Sequence, residues 1–148
     1  MKALLLFFAA LALGPAGHAQ ALAEAQVPPL AYVALQQLYP QARHVKWKRA
    51  QGWYQASYTQ SQTYWLVRFD VNGDVQATGH EVALGTLPPL VRHTLTEYYP
   101  TRTFCQATEI ANARTGGLTY EMATCETAFS RTITLTANGR KVPRARPQ

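Results

Sequence analysis

Val27-Pro28-Pro29-Leu30-Ala31-Tyr32-Val33-Ala34-Leu35-Gln36-Gln37-Leu38-Tyr39-Pro40 returns sixty residues later as Leu87-Pro88-Pro89-Leu90-Val91-Arg92-His93-Thr94-Leu95-Thr96-Glu97-Tyr98-Tyr99-Pro100. Two prolines, ten residues and Tyr-Pro thus occur twice, and a fixed internal offset is the mark of a repeated structural unit. Proline suits a first helical turn, where its missing N–H has no intrahelical partner anyway; a second proline stops the helix behind the tyrosine before it. The stripe Leu30, Ala31, Ala34, Leu35, Leu38 and its echo Leu90, Val91, Thr94, Leu95, Tyr98 predict one buried face per helix.

Beyond the first helix, Val45 and Trp47, then Tyr54, Ala56 and Tyr58, then Trp65, Val67 and Phe69 alternate with polar residues. That is the period of a sheet covered on one side, with the helix as its cover. Tyr120 echoes Tyr54, Ile133 echoes Val67, Leu135 echoes Phe69 and Asn138-Gly139 echoes Asn72-Gly73, now at an offset of sixty-six. Six residues inserted around 112–117, a polar stretch with two glycines, account for the change, because a lengthened hairpin loop costs little. With no second helix inside a unit to act as a crossover, the strands should be antiparallel. The expected class is α+β: two tandem units, each a helix and a four-stranded antiparallel sheet, over residues 27–83 and 84–142, with helices on one face and the other face open.

Upstream, Lys2 precedes an apolar run from Ala3 to Leu13, then Gly14, Pro15 and small residues. This reads as a secretory signal peptide over 1–19, cleaved after Ala19 or, alternatively, Ala21. Eleven apolar residues are too few for a membrane span, which takes about 20. Residues 20–26 are expected to form a linker. Cleavage after Ala19 leaves 129 residues, enough for one modest core. The chain has 14 Lys and Arg against 8 Asp and Glu; without Lys2, and without the four cations among residues 140–148, 9 face 8. The positive charge is therefore mostly a property of the tail 143–148 and the residues just before it, expected to be disordered, and the near-neutral body argues against a nucleic-acid partner.

Taken together, Pro-Pro with Tyr-Pro ten residues on, Val45-Lys46-Trp47-Lys48, Trp53-Tyr54-Gln55-Ala56 and the Phe69-Asp70-Val71-Asn72-Gly73 hairpin resemble the PepSY-like proteins related to the β-lactamase-inhibitor (BLIP-like) fold. The resemblance covers about residues 27–142, though the second copy lacks counterparts of Trp47 and Trp65. It implies an exported protein whose two repeats join to present a concave sheet surface. It also implies a binding or inhibitory role without enzyme activity.

Cys105 and Cys125 are the only cysteines, and in an exported chain a disulfide is the default. A hairpin centred on Thr115 would oppose residues whose numbers sum to 230, pairing Cys105 with Cys125, Thr108 with Met122, Ile110 with Tyr120 and Glu109 with Glu121. Asp70-Val71-Asn72-Gly73-Asp74 resembles the start of a calcium loop, but its echo Thr136-Ala137-Asn138-Gly139-Arg140 loses both aspartates, so the shared feature is a turn glycine. His44, His80 and His93 have no metal-ligand spacing, and Ser57, Ser61 and Ser130 lack the Gly-x-Ser-x-Gly setting of a nucleophile. No cofactor, metal site or catalytic residue is expected.

If Val45, Trp47, Tyr54 and Phe69 face the helix, then Lys46, Lys48, Trp53, Gln55, Tyr64, Leu66 and Arg68 face away from it. Aromatic rings and arginine are enriched in interface cores, and the cations would favour an acidic partner. Trp65 is the assignment that a one-residue slip would reverse. The sequence thus points to an exported, non-enzymatic module that binds another envelope or secreted protein through this outer face. A structural envelope scaffold or stress component without a specific ligand is the alternative, and a small-ligand or metal-binding protein the more remote one.

Overall fold

The computed structural model describes residues 20–50, 52–126 and 131–143. Residues 1–19, read from the sequence as a signal peptide, and residues 144–148 of the tail lie outside them. The described chain runs β1 (Gln20–Leu22), a 3-10 turn (Glu24–Gln26), α1 (Pro29–Leu38), β2 (Lys46–Ala50), β3 (Trp53–Gln60), β4 (Thr63–Phe69) and β5 (Val75–Val82). A second 3-10 turn (Leu84–Thr86), α2 (Pro89–Tyr98), β6 (Phe104–Asn112), β7 (Leu118–Thr124) and β8 (Thr132–Thr136) follow. The class is α+β. All eight strands form one sheet in the order of the chain, each antiparallel to its neighbour.

Whether the two units share one sheet is left open by the sequence, and the structure answers it and departs from expectation in two further respects. The sheet is continuous across the middle of the chain, because β5 pairs with β6 from Ala77↔Asn112 to Val82↔Ala107. After α2 only three strands follow among the described residues, with an isolated bridge from Leu135 to Lys141 where a fourth would lie. The stretch 20–26, expected to be a linker, carries β1 and a 3-10 turn; β1 covers the edge of β2 from Gln20↔Arg49 to Leu22↔Trp47.

Both helices begin at the second proline and end one residue before Tyr39 or Tyr99, whose backbone N–H still donates to Leu35 or Leu95. The buried face is narrower than the apolar stripe. Ala31, Leu35 and Val91 are buried, whereas Leu30, Leu38, Leu90 and Tyr98 are more than half exposed. A ten-residue helix lying on a sheet touches it along one line of positions four apart, here Ala31 and Leu35 with Val27 just before the helix on the same line, so the flanking stripe positions fall to either side. Under α1 these three pack on Trp47, Ala56, Tyr58, Val67 and Phe69. Under α2, Leu87 and Val91 pack on Ala107, Tyr120, Met122 and Leu135.

The β6–β7 hairpin corrects the predicted register. Ala111 pairs with Leu118, leaving six residues between them, and Asn112 closes the turn by accepting from the backbone N–H of Arg114 and Thr115. An even loop puts the numerical sum of opposed residues at 229, pairing Thr108 with Glu121 and Glu109 with Tyr120. Glu109 and Glu121 therefore do not face each other; they lie on opposite sides of the sheet. Cys105 and Cys125 are joined, with Cα atoms 5.0 Å apart, even though they are not a directly opposed pair. The register shifts between Phe104 and Gln106, and Cys105 is the extra residue of that bulge. Reduction of this bond opens a loop of about 20 residues, so urea unfolding with and without reductant is expected to differ by about 3 kcal/mol; an unchanged midpoint would show that the bulge is held without it.

Candidate functional site

Strand alternation divides the sheet into two faces. Rows running Trp47↔Ala56↔Val67 and Tyr58↔Trp65↔His80↔Glu109↔Tyr120 lie on the helix side. Lys48↔Gln55↔Arg68↔Ala77 and Lys46↔Ser57↔Leu66↔Gly79↔Ile110 lie on the other. All seven outer-face residues expected from the sequence, Lys46, Lys48, Trp53, Gln55, Tyr64, Leu66 and Arg68, occupy this second side. Trp65 belongs to the helix side, where its ring stacks on His80 at 5.2 Å between centroids.

The second side is curled rather than flat. Arg68 on β4 and Glu121 on β7 are three strand spacings apart, about 14 Å in a flat sheet, yet Nη2 of Arg68 donates to Oε1 of Glu121 at 2.8 Å. Gly79 stands at the bend on the central strand β5. A Cβ there would lie 2.8 Å from the Glu109 carbonyl oxygen, 3.0 Å from Ile110 Cγ1 and 3.2 Å from Leu66 Cγ, so the missing side chain is what lets the two sides approach. Leu66, Ala77 and Ile110, with Tyr64 against them, form a small apolar floor in the bend.

Above this floor the side chains hold one another. Arg68 donates through Nε to Gln55 Oε1 at 3.1 Å, and its guanidinium lies 4.3 Å from the centroid of Trp53. Gln55 Nε2 donates to the Tyr64 hydroxyl at 3.4 Å. Gln55 and Leu66 are 1% and 3% exposed, so they build the site from within and do not offer a contact surface. Lys46, Lys48, Trp53, Tyr64 and Arg68 keep exposed or half-exposed atoms. Burial pushes the Lys48 ammonium below the usual lysine range; Glu121 pulls it back up and Arg68 presses it further down.

Sequence reasoning missed the contribution of the second half: Gln106, Thr108, Glu121, Ala123 and Thr132 line the concavity together with Lys48, Gln55, Tyr64 and Leu66. Only continuity through β5 and β6 and the corrected hairpin register bring Glu121 to Arg68. Elsewhere the expected turn is present. Both Asp70 carboxylate oxygens are taken up inside it, Oδ1 accepting from the N–H of Asn72 and Asp74 and Oδ2 from Gln76. His93 pairs with Glu97 on the exposed side of α2. Among the described residues no group of three His, Cys, Asp or Glu could hold a metal ion, and no helix is long and apolar enough to cross a membrane.

On the helix side, the Tyr120 hydroxyl donates to Glu109 Oε2 at 2.8 Å. Burial first, then this carboxylate, pushes the phenol up to about 12. A phenol raised in the folded state stays neutral there longer than in the unfolded chain, so its contribution is complete below pH 10 and lost as the pH climbs to about 12. In a spectrophotometric titration the last tyrosine step is expected near pH 12 and is expected to disappear in Tyr120→Phe. A titration curve identical for the two proteins would refute this assignment.

No protein-family profile matches the chain, and no curated protein matches it significantly. Solved structures do share its fold. A candidate periplasmic protein from Bacteroides eggerthii superposes with a TM-score of 0.62 at 15% identity, covering 79% of this chain and 86% of the other. A DUF2874 family protein from Bacteroides uniformis gives 0.60 at 18% identity, covering 78% and 86%. A BLIP-like protein from Bacteroides fragilis gives 0.52 at 21%, covering 77% and 82%. At these identities the likeness establishes the fold.

Proposed function

We propose that this chain is an exported, non-enzymatic binding module that engages another envelope protein through the concave side of its sheet. The observation that carries this reading is the interlocked Trp53–Arg68–Gln55–Tyr64 set with Glu121. It forms a polar and aromatic surface fixed before any partner arrives, on the one side of the sheet that neither helix covers. Side chains already held in place lose little conformational entropy on binding, which is where much of the cost of association lies. A fold shared with BLIP-like and candidate periplasmic proteins fits this reading, as does the apolar N-terminal run read as a signal peptide over 1–19.

The architecture is read as two fused copies of one unit, 27–83 and 84–142. Helices Pro29–Leu38 and Pro89–Tyr98 have equal length, a 3-10 turn precedes each, and Gly73 and Gly139 pack against the first-turn carbonyls of Leu30 and Leu90 respectively. The concave site draws on both copies, so in this reading a single unit would be an incomplete binder.

Affinity capture from an envelope extract tests the function with three baits: the wild-type chain, Lys48→Glu/Trp53→Ala on the concave side, and Leu30→Asp/Leu38→Asp on the helix side. The expected result is a protein retained by the wild type and the helix-side variant and lost by the concave-side variant. Equal recovery by all three baits would remove the concave side from consideration and favour a scaffold role.

A further inference from the structure

The hydrogen bonds on the concave side run outward from Arg68, to Glu121 on one hand and towards Tyr64 on the other. Glu121 accepts from Arg68, Arg68 donates on to Gln55, and Gln55 donates on to the Tyr64 hydroxyl, so the relay ends on a phenolic hydrogen that no described residue accepts. Beside it, the Lys48 ammonium faces Glu121 without an ion pair or hydrogen bond among the described residues, while Glu121 Oε1 is already bound by Arg68. The charges acting on this spot are two cations, Lys48 and Arg68, and one anion, Glu121, while the exposed Lys46 and Glu81 on the same side lie outside the cavity lining and offset each other. The cavity that Lys48 and Glu121 line, with Arg68 outside the lining, measures about 100 Å³ and has Leu66 and Ala123 as apolar walls. At roughly 30 Å³ per water it holds about three waters, the scale of one side-chain head group and too small for a sugar ring or a nucleotide.

We propose that this cavity is a carboxylate-binding subsite: one carboxylate enters it, accepts from the Lys48 ammonium and the Tyr64 hydroxyl, and lays its methylene stem on Leu66 and Ala123. The proposal rests on the concave-face reading and specifies what that face grips, an aspartate or glutamate side chain of the partner. The charge count selects the ligand. A carboxylate brings the single negative charge that balances the surplus cation, whereas a phosphate monoester would bring nearly two. Desolvation already weakens the ammonium, and an entering anion would relieve it.

The test uses the whole mature chain, with backbone amide NMR shifts as the readout and N-acetyl-glutamate N-methylamide and its glutamine counterpart as probes. The acid is expected to shift the amides around Lys48, Gln55, Tyr64 and Glu121 to saturation, and the neutral probe to leave them in place. Lys48→Gln should weaken the acid about tenfold, as loss of a charged hydrogen-bond donor does. Glu121→Gln should tighten it by raising the surplus to two positive charges. Equal shifts with both probes, or an affinity unchanged in Lys48→Gln, would overturn the subsite. If the acid binds at Lys48 and displaces the captured partner, the carboxylate comes from that protein; if it binds there and displaces nothing, the cavity takes a free carboxylate and the partner-side-chain assignment falls. A partner lost with Trp53→Ala but retained in full by Lys48→Gln would overturn the carboxylate anchor while leaving the concave-face reading in place.

Discussion

Replacing Gly73 by alanine is expected to destabilise the chain by about 2–4 kcal/mol, while the same change at Gly52 costs about 1 kcal/mol or less. Both glycines have positive φ, +77° at Gly52 and +84° at Gly73, so both substitutions carry the left-handed penalty of about 1–2 kcal/mol. Both also recover about 0.4–1 kcal/mol from the stiffer unfolded chain. What separates them is space. Nothing lies within 4 Å of a Cβ built on Gly52, whereas one on Gly73 would meet the Leu30 carbonyl oxygen at 2.6 Å and its carbon at 2.8 Å. Backbone atoms of a first helical turn cannot swing away as a side-chain tip can. The whole of α1 would have to lift, drawing Ala31 and Leu35 off Trp47 and Phe69, and overpacking of this kind costs about 1–3 kcal/mol more. Gly139 is built alike, with the Leu90 carbonyl oxygen at 2.5 Å and the Thr94 hydroxyl at 2.6 Å from its added Cβ, and its alanine variant should fall in the same range. Urea unfolding at constant slope measures all three. A Gly73 variant no weaker than the Gly52 variant would mean that the turn does not press on the helix.

The Asn-Gly pair was legible in the sequence as a turn because it survives in both halves while Asp70 and Asp74 do not. Its second purpose, making room for the helix, was not, since no local pattern reports which backbone a loop will touch. The same division holds elsewhere. Alternation along β2–β4 placed Lys46, Lys48, Trp53, Gln55, Tyr64, Leu66 and Arg68 on one face, because strand period is a local property. That Gln55 and Leu66 would be buried there, and that Glu121 would reach Arg68, depends on the bend at Gly79 and on β5 pairing with β6. Those are contacts between residues far apart in the chain. The disulfide partners were found although the predicted register was one residue off, because a bulge at Cys105 brings the two sulfurs together without direct opposition. Leu30 and Leu38 misled because a stripe wide enough for a bundle helix exceeds what a short helix on a sheet can bury.

Phe69→Ala and Leu135→Ala are expected to cost about 3–5 and about 2–5 kcal/mol, and their double mutant close to the sum. Each side chain is 0% exposed and central to its cluster, Phe69 beneath α1 with Trp47 at 6.1 Å between ring centroids, Leu135 beneath α2. The two clusters share no residue, which is the condition for additivity. Separate clusters raise the question of whether the halves unfold separately. A unit of roughly 60 residues buries only about 60% of its unfolded surface and is marginal alone, and here the β5–β6 ladder and the Leu66–Ala77–Ile110 floor tie the halves together. Either substitution should therefore lower the melting of the entire chain in one calorimetric transition, with calorimetric and van't Hoff enthalpies equal. Two transitions, with Phe69→Ala lowering only one, would show that the halves fold independently. In that case the Arg68–Glu121 bond, which needs both, would be a contact between two bodies, and the concave site would form only while they stay docked.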